Sequence, residues 1–309
     1  MLERWVVIAG NRGRRPSDFI HESLEDSERT CFFCPGNEDS TPPEICRRGG
    51  RKNWRMRCFP NKFPAAVPED GEYTSGLLKS RPAYGSHEVL VETNVHGKSF
   101  PDFKIKEMNE YLDVVSERIN GLEADSGVEY VSVFKNHGKS SGASLSHSHT
   151  QILSTPFTPR LIEEKAAASR RHRKLLGNCG YCDVAERESK TARTIRDGKN
   201  MVSFAPYASR YPFEAWIMPK KHVERLEDLN KTQKNEMSSH MISLLKSLKE
   251  KLGDPSYNLI LYYSPKSLGL HLHWEIIPRL SNWAGFELGT EIIINTMPPE
   301  QAASHLSNI

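Results

Sequence analysis

The sequence predicts an α+β fold that consists of two similar units, each an antiparallel sheet with flanking helices. Three observations predict it. A C-x-x-C pair occurs twice, at 31–34 and at 179–182, and an H-x-H triplet occurs twice, at 147–149 and at 271–273. The segments between the pair and the triplet recur in the same order. Such self-similarity along the chain indicates an internal duplication.

Side-chain periodicity gives the elements of each half. In order, an alternating strand, an amphipathic helix and a β-rich run precede each H-x-H triplet. These segments are 87–93, 103–119 and 130–134 in the first half, and 213–219, 231–252 and 257–263 in the second. Residues 165–174 predict a helix that ends at the linker, so the boundary falls near 160–178. We expect an N-terminal half, 1–165, and a C-terminal half, 166–309.

Composition limits the function classes. The chain has 309 residues, and its net charge of +3 is too small for bulk nucleic-acid binding. No apolar run approaches the ~18 residues of a membrane helix. Residues 1–16 contain only a short apolar run followed by charge, unlike a secretory signal. We expect a cytoplasmic enzyme that has neither nucleic acid nor membrane as a partner.

The cysteine pairs predict metal sites. In a cytoplasmic chain such a pair is either a zinc site or a redox dithiol. Pro and Gly follow the first pair, which is typical of a turn and not of the helix that a redox pair opens. Histidines at i and i+2 lie on one face of a strand, although single histidines are often ordinary surface or core residues. We expect two structural Cys₂His₂ zinc sites. Their ligands are Cys31, Cys34, His96 and His147 in the first, and Cys179, Cys182, His222 and His271 in the second. The histidines outside this pattern are expected at the surface: His21, His172, His240 and His305.

The first H-x-H triplet is predicted to be catalytic. A Gly/Ser-rich loop, 138–146, leads into it, and small residues let backbone amides approach phosphate oxygens. With His147 on the metal, His149 points to the same face, and a neutral imidazole is a good nucleophile toward phosphorus. Gln151 lies on that face too and can donate its amide N–H to a phosphoryl oxygen. Residues 138–151 contain no carboxylate, which suits an anionic substrate.

Several motifs resemble one known family. Residues 134–151, FKNHGKSSGASLSHSHTQ, are similar to the active-site loop of the galactose-1-phosphate uridylyltransferase family, within the histidine-triad superfamily. Residues 4–16, 59–65 and 286–303 resemble its N-terminal strand, its nucleotide loop and its C-terminal sugar segment. The resemblance covers nearly the whole chain. It implies two histidine-triad-like units.

The resemblance also implies a role for each matching residue. His149 would be the nucleophile that accepts a nucleoside monophosphate, and Gln151 would stabilise the phosphoryl group. The implied substrate-binding residues are Gly142 and Ser144 in the loop, Asn61 and Asn136 near the nucleotide, Arg12 and Arg15 at phosphate oxygens, and Phe286, Gly289 and Glu291 at the hexose. In the family the C-terminal segment can reach the partner's site, which implies a homodimer.

The implied activity is a ping-pong transfer of a nucleoside monophosphate between sugar 1-phosphates through a covalent nucleotidyl-histidine. The type reaction is UDP-glucose—hexose-1-phosphate uridylyl transfer in galactose metabolism. Familiar bacterial members of the family lack the second cysteine pair. In having it, the chain is more similar to the subgroup near plant adenylyl-sugar phosphorylases, in which phosphate is the acceptor. A zinc-stapled nucleotide-binding module without turnover is the alternative from another class. Iron in place of zinc at one site stays open.

The second H-x-H triplet is predicted to have lost its chemistry. The segment 264–269 replaces the Gly/Ser-rich loop, and Glu275 occupies the place of Gln151. A carboxylate there would repel a phosphate group. We therefore expect the second half to keep its metal and His273 to be dispensable.

Overall fold

The computed structural model describes residues 31–307, apart from residues 70, 72, 76, 266 and 267. Strands and helices are both abundant, and the predicted α+β class is confirmed. In the described residues, no helix is long and apolar enough to cross a bilayer. The strands are β1 (Cys46–Gly49), β2 (Trp54–Pro60), β3 (His87–Val91), β4 (Tyr130–His137), β5 (His149–Thr155), β6 (Thr194–Asp197), β7 (Met201–Phe204), β8 (Ala215–Pro219), β9 (Tyr257–Tyr262) and β10 (His273–Pro278). The helices are α1 (Ile105–Glu123), α2 (Arg160–Leu176), α3 (Gly180–Glu188), α4 (Lys231–Leu252), α5 (Gly285–Thr290) and α6 (Pro299–Leu306).

The chain forms two compact units with the same strand connectivity. Among the described residues, the first unit comprises 31–97, 117–133 and 144–159, and the second comprises 98–116, 134–143 and 160–307. Strand order is β1-β2-β3-β5 with the start of β4 in the first unit, and β6-β7-β8-β10-β9 in the second. The duplication predicted from the sequence is confirmed in this order. The boundary between residues 165 and 166 stays a prediction.

The side chains of strand β5 alternate between the two faces of the sheet in the first unit. It pairs antiparallel with β3, so that His149 lies opposite Val91 and Gln151 opposite Val89. Successive side chains of a strand point to opposite faces. His149 and Gln151 therefore share one face, whereas Ile152, which is fully buried, lies on the other.

Helix α4 forms as its sequence predicts. Asn230 caps it by accepting a hydrogen bond from the backbone N–H of Gln233 at 3.0 Å, and Gly253 ends it in the left-handed conformation. Its buried side chains recur at helical spacing and contact β7, β8 and α6. The surface position expected for His240 was wrong: its side chain is buried and lies 2.6 Å from Ser203 Oγ. His240 follows buried Met237 by three residues, so it lies on the apolar face.

Candidate active site and metal centres

The four predicted ligands of the first metal site come together. The ligand atoms of Cys31, Cys34, His96 and His147 all lie within 4.8 Å of one another. Cys34 Sγ is 3.3 Å from His96 Nδ1 and 3.6 Å from His147 Nδ1, and Cys31 Sγ is 3.5 Å from the latter atom. Tetrahedral coordination with metal–sulfur bonds of about 2.3 Å and metal–nitrogen bonds of about 2.0 Å separates sulfur from nitrogen by roughly 3.5 Å. The donor set fits a tetrahedral ion.

A backbone carbonyl group orients the imidazole of His147. His147 Nε2–H donates to Thr93 O at 2.8 Å, which places the ring proton on Nε2. The lone pair of Nδ1 then faces the thiols, an arrangement typical of metal-bound histidine. The ring of His96 meets that of His147 edge-on, with centroids 5.3 Å apart.

The second ligand set repeats this geometry. The ligand atoms of Cys179, Cys182, His222 and His271 also lie within 4.8 Å of one another. His271 Nε2–H donates to Pro219 O at 2.9 Å, and its Nδ1 is 3.5 Å from Cys182 Sγ. His222 Nδ1 is buried and makes no hydrogen bond with any described residue. A buried nitrogen without a partner, beside two thiols and a second imidazole, fits a metal ligand.

The second cysteine pair differs from the first in its local structure. Cys179 stands directly before α3, so this pair does open a helix, as a redox pair does. The two imidazoles that converge on the thiols favour a metal ligand set all the same. Both predicted sets can therefore hold an ion.

His149 is held in the tautomer that a nucleophile needs. Its Nδ1–H donates to the carbonyl oxygen of His147 at 2.8 Å. The ring proton is therefore on Nδ1, and Nε2 carries the lone pair. The ring is buried and lies edge-on to Phe33, with centroids 5.5 Å apart. The strand thus fixes both the direction and the protonation of this imidazole.

His87, the first residue of the predicted strand 87–93, orients Gln151. The backbone N–H of Ala65 donates to His87 Nδ1 at 3.1 Å, so the proton of this ring is on Nε2. His87 Nε2–H then donates to Gln151 Oε1 at 3.0 Å. With its carbonyl oxygen engaged, Gln151 has its NH₂ group to offer to an anion. A histidine at the first position of the strand beside H-x-H-x-Q is the signal that was missed.

Asn61, predicted from the nucleotide loop, lies beside His87. Its backbone N–H donates to His87 O at 2.7 Å, and its Oδ1 accepts from the backbone N–H of Phe63 at 2.9 Å. Its Nδ2 is 3.3 Å from His87 Nε2. The structure thus brings Asn61, His87 and Gln151 together on the face that carries His149.

A buried carboxylate that is distant in sequence contacts residues 148 and 150. Glu92 is buried and accepts hydrogen bonds from Ser148 Oγ and Thr150 Oγ1, each at 2.5 Å. These two residues alternate with His149 along the chain, so the carboxylate lies on the opposite face of the strand. Glu92 is distant in sequence from the triplet, and no local pattern links the two.

The remaining predicted substrate-binding residues of the first half have three outcomes. Arg12 and Arg15 lie outside the described residues. Ser144, half-buried, directly precedes Leu145, which packs against a buried cluster of this unit. Asn136 and Gly142 belong to the second unit, as described next.

Within the second unit, an amide pair shapes the Gly/Ser-rich loop. Asn258 Nδ2 donates to Asn136 Oδ1 at 2.8 Å and to Ser141 O at 3.0 Å. Gly142 follows a short 3₁₀ turn with φ of 88°, a conformation that favours glycine. Gly138 approaches so closely that an added Cβ would lie 2.3 Å from the side-chain oxygen of Ser256.

The predicted hexose residues lie around α5. Phe286 is exposed and Gly289 lies in the same helix. Glu291 ends α5 in the left-handed conformation, with φ of 62°. Exposed apolar side chains continue along this segment, among them Ile292 and Ile294.

Comparison with known proteins agrees with this geometry. The family model described as "Galactose-1-phosphate uridyl transferase, N-terminal domain" matches residues 1–159, and a domain of unknown function, DUF4921, matches residues 93–308. An ADP-glucose phosphorylase of Arabidopsis thaliana is 30% identical, over 100% of this chain and 91% of its own length. The galactose-1-phosphate uridylyltransferase of Thermotoga maritima is 27% identical, over 99% of this chain and 95% of its own.

The chain belongs to the galactose-1-phosphate uridylyltransferase family. It is therefore a nucleotidyltransferase of that family. Solved structures agree. The crystal structure of the Arabidopsis thaliana ADP-glucose phosphorylase with bound ADP-glucose has a TM-score of 0.82 and 29% identity, over 99% of this chain and 96% of that one. A uridylyltransferase structure has a TM-score of 0.80 and 28% identity, over 93% and 92%.

In this member of the family, the second H-x-H triplet is sealed by aromatic side chains. His273 has no exposed surface. The rings of Tyr181, Trp216 and Tyr262 lie with centroids 4.9, 5.2 and 4.8 Å from it. Burial, followed by the charge of Lys165, lowers the pKa of His273 to about 4. A substrate cannot reach a neutral ring that is enclosed in this way.

The carboxylate of the second half is neutralised by neighbouring cations. Lys165 Nζ lies 2.5 Å from Glu275 Oε1 and 3.4 Å from His273 Nε2, and Arg210 lies 2.7 Å from Glu275 Oε2. The sequence predicted that Glu275 would repel phosphate. The structure adds that two cations already pair with this carboxylate and that aromatic rings enclose His273, so filled space is what opposes phosphate binding.

Proposed function

We propose that this family member transfers a nucleoside monophosphate between sugar 1-phosphates through a covalent intermediate on His149, as uridylyl transfer from UDP-glucose to a hexose 1-phosphate in galactose metabolism. The observation that carries the proposal is the tautomer of His149. With its proton held on Nδ1 by the carbonyl oxygen of His147, Nε2 carries a lone pair, and Gln151 lies on the same face of the strand. The uridylyltransferases similar to this chain support the uridylyl group.

The first half-reaction forms a phosphorus–nitrogen bond. His149 Nε2 attacks the α-phosphorus, the bond from that phosphorus to the bridging oxygen breaks, and the sugar 1-phosphate leaves with the electron pair. The ring becomes an imidazolium whose Nδ1–H is already paired with the His147 carbonyl oxygen, 2.8 Å away. Gln151 donates an N–H to a phosphoryl oxygen as charge develops there. Arg12 and Arg15 are proposed to bind the remaining phosphate oxygens.

The second half-reaction reverses the first from the same face. An oxygen of the incoming sugar 1-phosphate attacks the phosphorus, and Nε2 leaves with its lone pair restored. Zinc held by Cys31, Cys34, His96 and His147 would fix the strand that carries His149, as a structural ion. We assign a second structural zinc to the set that includes Cys179, with iron as the alternative at one site.

Three further parts of the proposal concern binding and assembly. Asn61 and Asn136 would contact the nucleotide, with Gly142 and Ser144 lining its phosphates. The α5 segment with Phe286, Gly289 and Glu291 would contact the hexose, and the exposed apolar side chains around it support a homodimer. The cytoplasmic location stays a prediction.

A second candidate is an adenylyl-sugar phosphorylase, in which inorganic phosphate replaces the second sugar phosphate. The 30% identity to an ADP-glucose phosphorylase over the whole chain favours it. The second Cys₂His₂ set, which the sequence analysis associated with that subgroup, is also assembled. His149 and Gln151 would act as described above, and only the base and the acceptor would change.

A donor and acceptor panel tests both candidates. The zinc-loaded enzyme is incubated with UDP-glucose or ADP-glucose, and with galactose 1-phosphate or phosphate as acceptor. Uridylyl transfer to galactose 1-phosphate supports the first candidate, and phosphorolysis of ADP-glucose supports the second. Mass spectrometry without acceptor should find an acid-labile nucleotidyl group on His149, and none in the His149→Ala variant. Turnover without any adduct on the wild-type enzyme would refute the covalent mechanism.

A further inference from the structure

Two cysteines outside both metal sites face each other across neighbouring strands. Cys46 on β1 lies directly opposite Cys58 on β2. In the described part of the chain, β1 is the outermost strand of its unit. Directly opposed residues of antiparallel strands have Cα atoms roughly 4.5 or 5.5 Å apart and project to the same face. Both separations lie within the span of about 4.4–6.8 Å that a disulfide bridges.

The two thiols have different surroundings. Cys58 has no exposed surface, and its sulfur lies 3.4 Å from Glu88 Oε2. Arg118 holds that carboxylate with two hydrogen bonds, at 2.8 and 2.7 Å. Cys46 is only half-buried on the outer strand. A hydrogen bond with Cys58, and then the positive charges of Arg118 and Arg48, lowers the pKa of Cys46 to about 7.

These differences assign complementary roles to the pair. A thiol that is accessible and partly ionised at neutral pH reacts first with an oxidant. A second thiol at bonding distance resolves the product into a disulfide before further oxidation. Cys46 has the first set of properties, and Cys58 has the second.

We propose that Cys46 and Cys58 form an oxidation site that closes to a cross-strand disulfide under peroxide. The Cys46 thiolate attacks one oxygen of hydrogen peroxide and becomes a sulfenic acid as the O–O bond breaks. The departing hydroxide takes a proton from solvent and leaves as water. Cys58 sulfur then attacks the sulfenic sulfur, and the departing hydroxide takes the Cys58 proton and leaves as water. One peroxide thus oxidises two thiols to one disulfide and is reduced to two waters.

Peptide mapping of the zinc-loaded protein tests the proposal. After mild treatment with hydrogen peroxide and blocking of free thiols, trypsin should release residues 30–47 joined to residues 58–62. Because the first of these peptides also contains Cys31 and Cys34, Cys46→Ser is the matched control, and the cross-link should be absent from it. Bound zinc is measured in parallel, so that the thiols of the metal site remain accounted for.

A second variant tests the order of the two steps. In Cys58→Ser the sulfenic acid on Cys46 has no resolving thiol, so a dimedone adduct should accumulate about tenfold over wild type. Both variants keep the proposed nucleotide machinery, and their turnover should match that of the untreated wild type. A wild-type protein that retains its zinc and shows no link between 30–47 and 58–62 would overturn the proposal. The same link in Cys46→Ser would also overturn it, because the bond would then belong to Cys31 or Cys34.

Discussion

The contact between His87 and Gln151 gives a quantitative prediction about catalysis. His87→Ala removes the N–H that Gln151 Oε1 accepts at 3.0 Å. Gln151 is buried, so its carbonyl oxygen would lose a partner that water replaces poorly. An unsatisfied buried acceptor costs about 1–3 kcal/mol. If the amide turns to recover a partner, the hydrogen bond to the phosphoryl group is lost instead. At about 1.4 kcal/mol per factor of ten, nucleotidyl transfer should slow by roughly 5- to 150-fold.

A double-mutant cycle separates this positioning role from a general loss of stability. Initial rates of adduct formation are measured for wild type, His87→Ala, Gln151→Ala and the double variant, with the donor that the substrate panel selects. If His87 acts through Gln151, the double variant should be no slower than Gln151→Ala alone, a coupling of about 1–3 kcal/mol. His87→Gln keeps an amide donor and should recover much of the rate.

Two results would refute this role for His87. Independent effects that multiply in the double variant would mean that His87 acts by another route. A rate loss in His87→Ala that parallels a fall in melting temperature or in bound zinc, with no recovery in His87→Gln, would mean that the residue only supports the fold. Adduct formation and melting temperature are therefore measured on the same preparations.

Three other predictions follow, two from the duplicated sites and one from the buried His240. His149→Ala should abolish adduct and turnover, whereas His273→Ala should keep turnover within about tenfold of wild type; the reverse ranking in steady-state assays would refute the assignment. Cys34→Ser and Cys182→Ser should each reduce the bound zinc from two ions to one, as measured by elemental analysis. The melting temperature should fall as well, because structural zinc contributes folding free energy. Two bound ions in both variants would refute the ligand sets. Burial lowers the pKa of His240 to about 4 in the folded protein, whereas the unfolded chain has a histidine pKa near 6.5. Because the unfolded chain binds the proton more readily, the free energy of unfolding falls as the pH drops from 6.5 toward 4. Urea unfolding should show about 2 kcal/mol of this loss between pH 7 and pH 5, and His240→Gln should lack it; equal pH dependence in both proteins would contradict it.

The sequence predicted the features that depend on local spacing. Helix α4 begins and ends at the predicted residues, because a capping asparagine, an apolar 3–4 repeat and a terminal glycine define it. The metal ligand sets were recoverable because the C-x-x-C pair fixes two ligands on one short segment and the first histidine of the H-x-H triplet supplies a third. A repeat that aligns the two halves then identified the middle histidine of each set.

The features that escaped prediction depend on contacts between distant segments. His87 reaches Gln151 across 64 residues, and Lys165 reaches Glu275 across 110. No local pattern specifies such pairs, because they follow from the register of neighbouring strands and from the packing of a helix on a sheet. The burial of His240 was different in kind: its spacing from Met237 on a correctly predicted helix already indicated it.

The two halves use one scaffold, so the proposed difference in their chemistry rests on what surrounds the second imidazole. In both halves, the first histidine of the triplet donates its Nε2–H to a backbone carbonyl oxygen. The second histidine donates its Nδ1–H to the backbone carbonyl oxygen of the first, at 2.8 Å in each half. Glu275→Gln would therefore restore the H-x-H-x-Q sequence without restoring catalysis, since His273 stays enclosed by aromatic rings and Lys165 Nζ stays 3.4 Å from its Nε2.

The same substitution should also destabilise the second unit. Lys165 is largely buried, and Glu275 is its ion-pair partner at 2.5 Å. Removing one member of such a buried pair costs about 3–5 kcal/mol, because the other charge loses its partner. Glu275→Gln in the His149→Ala background should show no nucleotidyl adduct and a lower midpoint of urea unfolding, whereas adding Lys165→Met should recover part of that midpoint by removing the unpaired charge. An adduct on His273 in the first of these proteins would show that the carboxylate alone silences the second half, and that the filled space beside the ring does not.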